Sequence, residues 1–400
     1  MAAVSTGPVL PDGMCMYFGA PKESSASFSE FPDHSNQGEL AVLIDGYLNC
    51  TNPSSWADFK AAEQLAPVLA RLSKSAPQSN VFHPGAFIGN TVLWADEVDS
   101  TQLIPRRIWG AAPPHGTVVA ARRQVHGRGR SSNTWESPEG CLMFTTVLRA
   151  PLQWGQHMPL LQHAMAVAAA EGVNSALTAA GAASSTQTHI KWPNDLYLSR
   201  GGAGLSTAID DDAPSKIGGI LCQSEFDSAS SAFVLCVGIG INVFGTEPYR
   251  SMQGYLASSP SAQEQEAAQH VAKASLLGHI LQSMQGVWED FECGSPGRGG
   301  APFGKLLARY TKLWLHADQI VTAHDPVAAT SSAEATATSM QEGSQVRIFA
   351  LCCETGALLA TEDVQGGAGS GAGLGPVWAL HPDGNSLDMM QGLLKHKTQA

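Results

Sequence analysis

Charge is scarce in this chain: Asp, Glu, Lys and Arg make up 14% of its 400 residues, against roughly a quarter in ordinary soluble domains. Bases are scarcer than acids, 23 against 35, and the net charge is −12. That balance excludes a generic nucleic-acid or anionic-membrane surface and leaves room only for a local anion site. Long apolar runs are missing as well. The best, Phe233 to Phe244, is broken by Gly238, Gly240 and Asn242 and falls short of the ~20 residues that a membrane helix needs. None of the eight cysteines forms a C-x-x-C pair or has a histidine at zinc-finger spacing. Buried or incidental thiols in a reducing compartment are therefore expected, and no metal site. No basic stretch precedes an apolar segment at the front, and residues 1–21 hold no Lys or Arg. The expectation is a cytoplasmic protein, with an atypical plastid or mitochondrial leader as the alternative.

What is present falls into three parts. Residues 1 to about 80 are punctuated by Ser and Pro, with one helical candidate, Trp56 to Leu72. They carry four bases against eight acids, which argues against a DNA-reading helix-turn-helix. From Val81 to Tyr310 the pattern alternates strands and helices. Strands are expected at Thr117–Ala121, Leu142–Leu148, His189–Trp192, Lys216–Glu225 and Ala232–Val243, and helices at Gln156–Ala180 and Ala262–Glu292. Long helices between hairpin-like strands predict an α+β unit, a mixed sheet with helices packed against it. Beyond Trp314 the expected strands are short (Gln319–Ala323, Gln345–Ala350, Ala357–Thr361, Pro376–Leu380), as in a small β-barrel. Ala328–Ser339 and Gly366–Gly375 read as loop insertions of low complexity.

Against the global acidity, residues 106–130 hold six arginines (106, 107, 122, 123, 128 and 130) and no acid. The plain reading is a solvated basic face. The sharper one is an anionic ligand, because two of these arginines interleave with Gly127 and Gly129 just after a strand. Glycine permits φ > 0 and close approach of backbone N–H groups to a phosphate, and the Arg forks suit bidentate contact with phosphate or carboxylate. Trp135 nearby offers a face for a flat base. Common nucleotide folds fail on spacing: no G-x-x-x-x-G-K-[ST] string exists, and neither 127–132 nor 238–243 completes G-x-G-x-x-G. Lys191-Trp-Pro-Asn-Asp195 ends a strand at a turn that Pro193 sharpens, which can point Lys191 into a cleft. Ile217-Gly-Gly-Ile-Leu221 and Val237-Gly-Ile-Gly-Ile-Asn242 read as core strands with some close backbone approach.

Taken in order, Asp99-Ser-Thr101, Gly127-Arg-Gly-Arg130, Trp135-Glu-Ser-Pro-Glu-Gly140, Lys191-Trp-Pro-Asn-Asp195, Gly218-Gly-Ile-Leu221 and Gly238-Ile-Gly-Ile-Asn242 resemble the biotin protein ligases, or holocarboxylase synthetases. The string His381-Pro-Asp-Gly-Asn-Ser386 resembles their plant and algal branch. The likeness covers roughly residues 85–400. It implies an extension over 1–84, a catalytic domain akin to class II aminoacyl-tRNA synthetases over 85–312, and an SH3-like domain over 313–400.

The implied reaction joins biotin to ATP as biotinyl-5′-AMP, with Mg2+, and then transfers the biotinyl group to a lysine of a biotin carboxyl carrier domain. No nucleic acid or membrane partner is implied. By position Ser100, Thr101, Gln102 and Gln124 match biotin contacts, and Arg128, Gly129, Arg130 and Lys191 match contacts to biotin and the acyl-phosphate. Gly127, Arg130, Trp135 and Asn242 match the ATP and adenylate side. Arg128, Arg130 and Lys191 are the expected catalytic cations, since joining two anions is an electrostatic problem. No protein nucleophile is required, in keeping with the lack of a G-x-S-x-G or Cys–His signature. Two departures stand out: Gln102 replaces a frequent Asn, and Ser131–Ser132 replaces an Arg-Gly pair. Asp195 is a candidate base for the acceptor lysine, its plainer role being to cap the turn. The alternatives are a lipoate-type ligase on the same fold, a DNA-binding biotin sensor, and an inactive scaffold.

Overall fold

The computed structural model describes residues 14–18, 87–89, 91–110, 113–131, 133–200, 213–245, 250–293, 303–315, 317–324, 342–362, 377–381, 385–388 and 393–396. The helical candidate Trp56–Leu72 and the two low-complexity stretches lie outside them. Eight strands form one sheet: β1 (Met14–Phe18), β2 (Thr91–Val98), β3 (Thr117–Gln124), β4 (Cys141–Pro151), β5 (Thr186–Lys191), β6 (Asp195–Arg200), β7 (Ser215–Asp227) and β8 (Ala232–Asn242). Their order is β1-β2-β3-β4-β8-β7-β6-β5. Only the β2–β3 pair is parallel, so the sheet is mixed as expected.

Strand β4 sits at the centre and is buried along its whole length but for Pro151. A strand covered on both faces reads as an unbroken apolar run, and this is why its extent was visible in the sequence. Among the described residues the α-helices are α1 (Ile104–Trp109), α2 (Met158–Ala179), α3 (Met252–Ala257), α4 (Ala262–His270), α5 (Lys273–Cys293) and α6 (Gly304–Leu313). The Ala-rich α2 is apolar nearly all round and buried nearly all round, packed between the sheet, α5 and α6. Helices α2 and α5 approach closely at Gly172, where a Cβ would lie 2.5 Å from Cα of Ile280. Trp154, Trp288 and Phe291 cluster at the far end of the same core, with Trp154 5.3 Å from Trp288 and 5.2 Å from Phe291.

The single helix expected over Ala262–Glu292 is two. Val271 is extended (φ −65°, ψ 128°) and separates α4 from α5. The α4 stretch is polar on most of its surface and has no apolar stripe to continue that of α5. Turning the chain at Val271 buries that side chain in the core, while α4 buries only Glu264, Ala267 and Ala268 and leaves its other residues at the surface. Strands β1, β2 and β6 and helices α1, α3 and α6 lie outside the expected elements, and β1 brings a strand of the front section into the large sheet.

The remaining strands, β9 (Ile320–His324), β10 (Gln345–Leu351), β11 (Leu358–Glu362), β12 (Val377–Leu380), β13 (Asn385–Asp388) and β14 (Leu393–His396), form a second, small sheet in the order β12-β11-β10-β9-β14-β13. It holds four of the expected short strands and two further ones, and β9 pairs with β14 in parallel.

Candidate active site

The large sheet carries a cavity of about 470 Å³ on one face. Its first wall is the turn from β2 into α1. Asp99 anchors that turn: Oδ1 accepts from the Ser100 N–H at 2.8 Å and from Nη1 of Arg107 at 2.9 Å. Burial alone would raise the Asp99 carboxyl, but the Arg107 guanidinium and the Ser100 N–H hold it below the usual carboxylate range. Thr101 is fixed by Gln124 at the end of β3, whose Oε1 accepts from the Thr101 N–H at 2.8 Å and its hydroxyl at 3.1 Å. Thr145 on β4 donates to the same hydroxyl at 2.8 Å. Gln102 lies along β8, its Nε2 donating to the carbonyl of Leu221 at 2.8 Å.

Ser100 Oγ and Gln102 Oε1 are buried, line this cavity and have no hydrogen-bond partner in the protein. A buried polar atom without a partner costs about 1–3 kcal/mol. A ligand bearing polar groups beside Ser100 and Gln102 would satisfy both.

The second wall is the loop after β3. It folds on itself as a small hairpin: Gly129 N–H donates to the Asn133 carbonyl at 2.8 Å, Asn133 N–H to Arg130 at 3.0 Å, and Trp135 N–H to Gly127 at 3.0 Å. Of the two properties that glycine permits here, positive φ holds at Gly140 and close approach at Gly127. Gly127 and Gly129 are absent from the positive-φ residues, whereas Ser131 (φ 56°) and Gly140 (φ 92°) are among them. Glycine is required at 127 because the hairpin closes tightly: a Cβ there would sit 2.3 Å from the Trp135 carbonyl oxygen.

The third wall is the turn between β5 and β6. Asn194 clasps β7, its Nδ2 donating to the Ile220 carbonyl at 2.9 Å while its own carbonyl accepts from the Ile220 N–H at 2.9 Å. This fixes Lys191, whose Nζ stands 5.9 Å from the centre of the Tyr197 ring. The floor is β7 and β8. A Cβ at Gly240 would lie 2.6 Å from Cε2 of Trp135, and one at Gly238 would lie 2.9 Å from Nε2 of Gln102. The glycine-bearing strands thus make room for the Trp135 indole and the Gln102 amide.

Comparison with known proteins fits this geometry. The profile of the Biotin/lipoate A/B protein ligase family matches residues 94–242. The chain is 30% identical over 312 residues to biotin–protein ligase 2 of Arabidopsis thaliana, covering 77% of this chain and 78% of that one. The chain belongs to the biotin protein ligase family. It is also 29% identical to the chloroplastic biotin–protein ligase 1 of Arabidopsis thaliana, over 77% of this chain and 70% of that one. Among solved structures it is similar to a biotin protein ligase from Aquifex aeolicus in complex with biotin and ATP, with 20% identity, a TM-score of 0.43, and coverage of 68% of this chain and 92% of that one.

Most residues that the ligase resemblance singled out converge on the cavity: Ser100, Thr101, Gln102, Gln124, Arg128, Gly129, Arg130, Trp135 and Lys191 all line it. Gly127 and Asn242 do not. Gly127 stands behind the loop hairpin, and Asn242 pairs with Cys141 at the end of β8. The six-arginine run is also resolved. Arg106 pairs with Glu225 at 2.6 Å, Arg107 with Asp99, and Arg123 with Glu97 at 2.9 Å, so much of the run is a neutralised surface. Arg128 and Arg130 are its members that line the cavity.

One cation was missed. Lys216 lines the cavity and pairs with Asp195 at 2.8 Å. A bulge between β6 and β7 sets Lys216 opposite Tyr197 and so turns it to the face that carries Lys191 and Asp195. Asp195 is therefore engaged with Lys216 and is not a free base. Among the described residues lining the cavity, four cations face one carboxylate, Asp195. In a chain of net charge −12 that is a concentrated anion site. Among the described residues no cluster of three His, Cys, Asp or Glu could hold a metal ion, and no helix is long and apolar enough to cross a membrane.

Proposed function

We propose that this chain is an ATP-dependent biotin–protein ligase that works through biotinyl-5′-AMP and delivers biotin to a lysine of a carrier domain. One observation carries the reading: a single cavity is lined both by residues with unpartnered buried polar atoms, Ser100 Oγ and Gln102 Oε1, and by four cations. The ureido ring of biotin supplies N–H donors to Gln102 Oε1 and a carbonyl acceptor to Ser100 Oγ. Its carboxylate then extends toward Arg128, Arg130 and Lys191.

In the first step a carboxylate oxygen bonds to the α-phosphorus of ATP and the bond to the β-phosphate oxygen breaks, releasing pyrophosphate. Both reactants are anionic. The cations lower the cost of their approach and of the charge on the five-coordinate phosphorus. Lys216 adds a fourth positive centre beside Asp195. Trp135 rests one side of its indole on Gly240, and the adenine stacks on the other. Asp195 is the cavity carboxylate that would meet a Mg2+ carried by the triphosphate, where the ion would neutralise phosphate charge.

In the second step the acceptor amine attacks the acyl carbon, AMP leaves and the amine loses its proton. At a free pKa of about 10.4 few lysines are neutral at pH 7, so holding the adenylate at high effective concentration must compensate. The carrier domain as acceptor rests on family resemblance, and the cytoplasm is proposed as the compartment. Fluorescence of a tagged full chain inside plastids would overturn the latter.

The test is purified protein with MgATP, labelled biotin and a carrier domain, each omitted in turn. Label transfer requiring all four is expected. Pyrophosphate exchange driven by lipoate and not by biotin would replace this reading with the lipoate-type ligase.

A further inference from the structure

One turn of the second sheet reaches the residue next to Lys191. Strands β10 and β11 are joined by a tight turn in which Cys352 N–H donates to the Ala357 carbonyl at 2.8 Å and Gly356 N–H to the Cys352 carbonyl at 2.9 Å. Gly356 at its tip has φ 73°, a conformation that favours glycine. Its carbonyl accepts a buried hydrogen bond from Nε1 of Trp192 at 3.1 Å. Trp192 is the residue next to Lys191 and itself lines the cavity.

The same glycine lies against His163 of α2. A Cβ at Gly356 would fall 2.4 Å from Nε2 and 2.5 Å from Cδ2 of that ring. His163 is fully buried, walled by Tyr310 at 5.5 Å and Phe303 at 6.2 Å between ring centres. The segment leading to the second sheet holds the same strand from its open edge: Leu315 N–H donates to the Ile190 carbonyl at 3.0 Å, and Trp314 bridges Ile190.

Building on the ligase reading, we propose that the Cys352–Gly356 turn positions a cation of the first half-reaction, Lys191, through Trp192. Trp192 and Gly356 are then positioning residues, and the second sheet contributes to adenylate formation without touching biotin or ATP. Mere docking of one sheet on the other would give the same contacts but no dependence on Lys191.

Double-mutant analysis of the full chain separates the two. Trp192→Phe keeps the ring and removes the donor. Its rate of biotinyl-AMP formation should fall about 10-fold, with the biotin KM within about twofold and the melting temperature unchanged. On a Lys191→Ala background the same substitution should cost little more. Gly356→Ala, which drives a methyl into His163, should lower the rate further, by about 100-fold. Should Gly356→Ala fail to fold, the Trp192→Phe pair still decides. A wild-type rate for Trp192→Phe, or the same loss in both backgrounds, would overturn the proposal. If the unsubstituted chain shows no biotin-dependent pyrophosphate exchange, the ligase reading falls, and this proposal falls with it.

Discussion

Arg130 and Lys191 stand on different walls of one cavity, the first on the loop after β3 and the second at the end of β5. On the proposed reading, each supplies charge where two anions must meet. Removing one such donor costs about 10²- to 10³-fold in the rate of the chemical step. Arg130→Ala should therefore slow biotinyl-AMP formation by about that factor and let the adenylate leak, measured by pyrophosphate release and by filter retention of labelled adenylate. Lys191→Ala should depress biotin-dependent pyrophosphate exchange to a similar degree. Trp135 is a different case, because it holds no charge and rests on a glycine floor. Gly240→Ala places a methyl 2.6 Å from its indole and must displace the ring. Both Gly240→Ala and Trp135→Ala should raise the KM for ATP about 10-fold or more and move that for biotin less than about twofold. Equal effects on the two substrates would remove the stacking role.

At the scale of elements, what the sequence reveals depends on how local the cause is. Strands β4, β7 and β8 were legible because each is a long β-branched or apolar run bounded by turn residues. The Lys191–Asp195 turn and the loop at 127–135 were legible as motifs. The break at Val271 was not, because it comes from α4 and α5 burying different amounts of surface and no glycine or proline marks it. The pairing of Arg106, Arg107 and Arg123 with acids from other segments is equally non-local, which made the basic run look freer than it is. Lys216 needed the β6–β7 bulge to reach the cavity, and a bulge leaves no mark in periodicity. The crossing of α2 and α5 gives a prediction at this scale. Gly172→Ala gains about 1 kcal/mol in helix propensity. Its Cβ, however, would meet the backbone of Ile280 at 2.5 Å, and a packed helix backbone yields only by moving as a whole. Overpacking of that kind costs about 1–3 kcal/mol and should win. The variant should melt several degrees lower by calorimetry, with the KM values for biotin and ATP unchanged.

Across the whole molecule, His163 ties the large sheet and its helices to the second sheet, and it does so as a neutral ring. Burial, the charge of Arg130 next, bring its pKa down to about 4, with only the Gly356 backbone acting the other way. The rings of Tyr310 and Phe303 that enclose it offer no counter-charge. Between about pH 4 and 6.5 the unfolded chain therefore binds a proton at this position that the native chain does not. Stability must rise with pH across that window, and it is lost as pH falls from 6.5 toward 4. Integrating the two titrations gives a loss of about 1 kcal/mol between pH 7.5 and 5.5 from this side chain alone. Other groups titrate in the same range, so the quantity to measure is a difference: urea unfolding of the full chain and of His163→Gln at both pH values. The variant should lose about 1 kcal/mol less than the parent on acidification, even if it starts less stable. Equal losses would mean that His163 takes up its proton in the folded state, and that the junction between the two sheets tolerates a second positive charge beside Arg130.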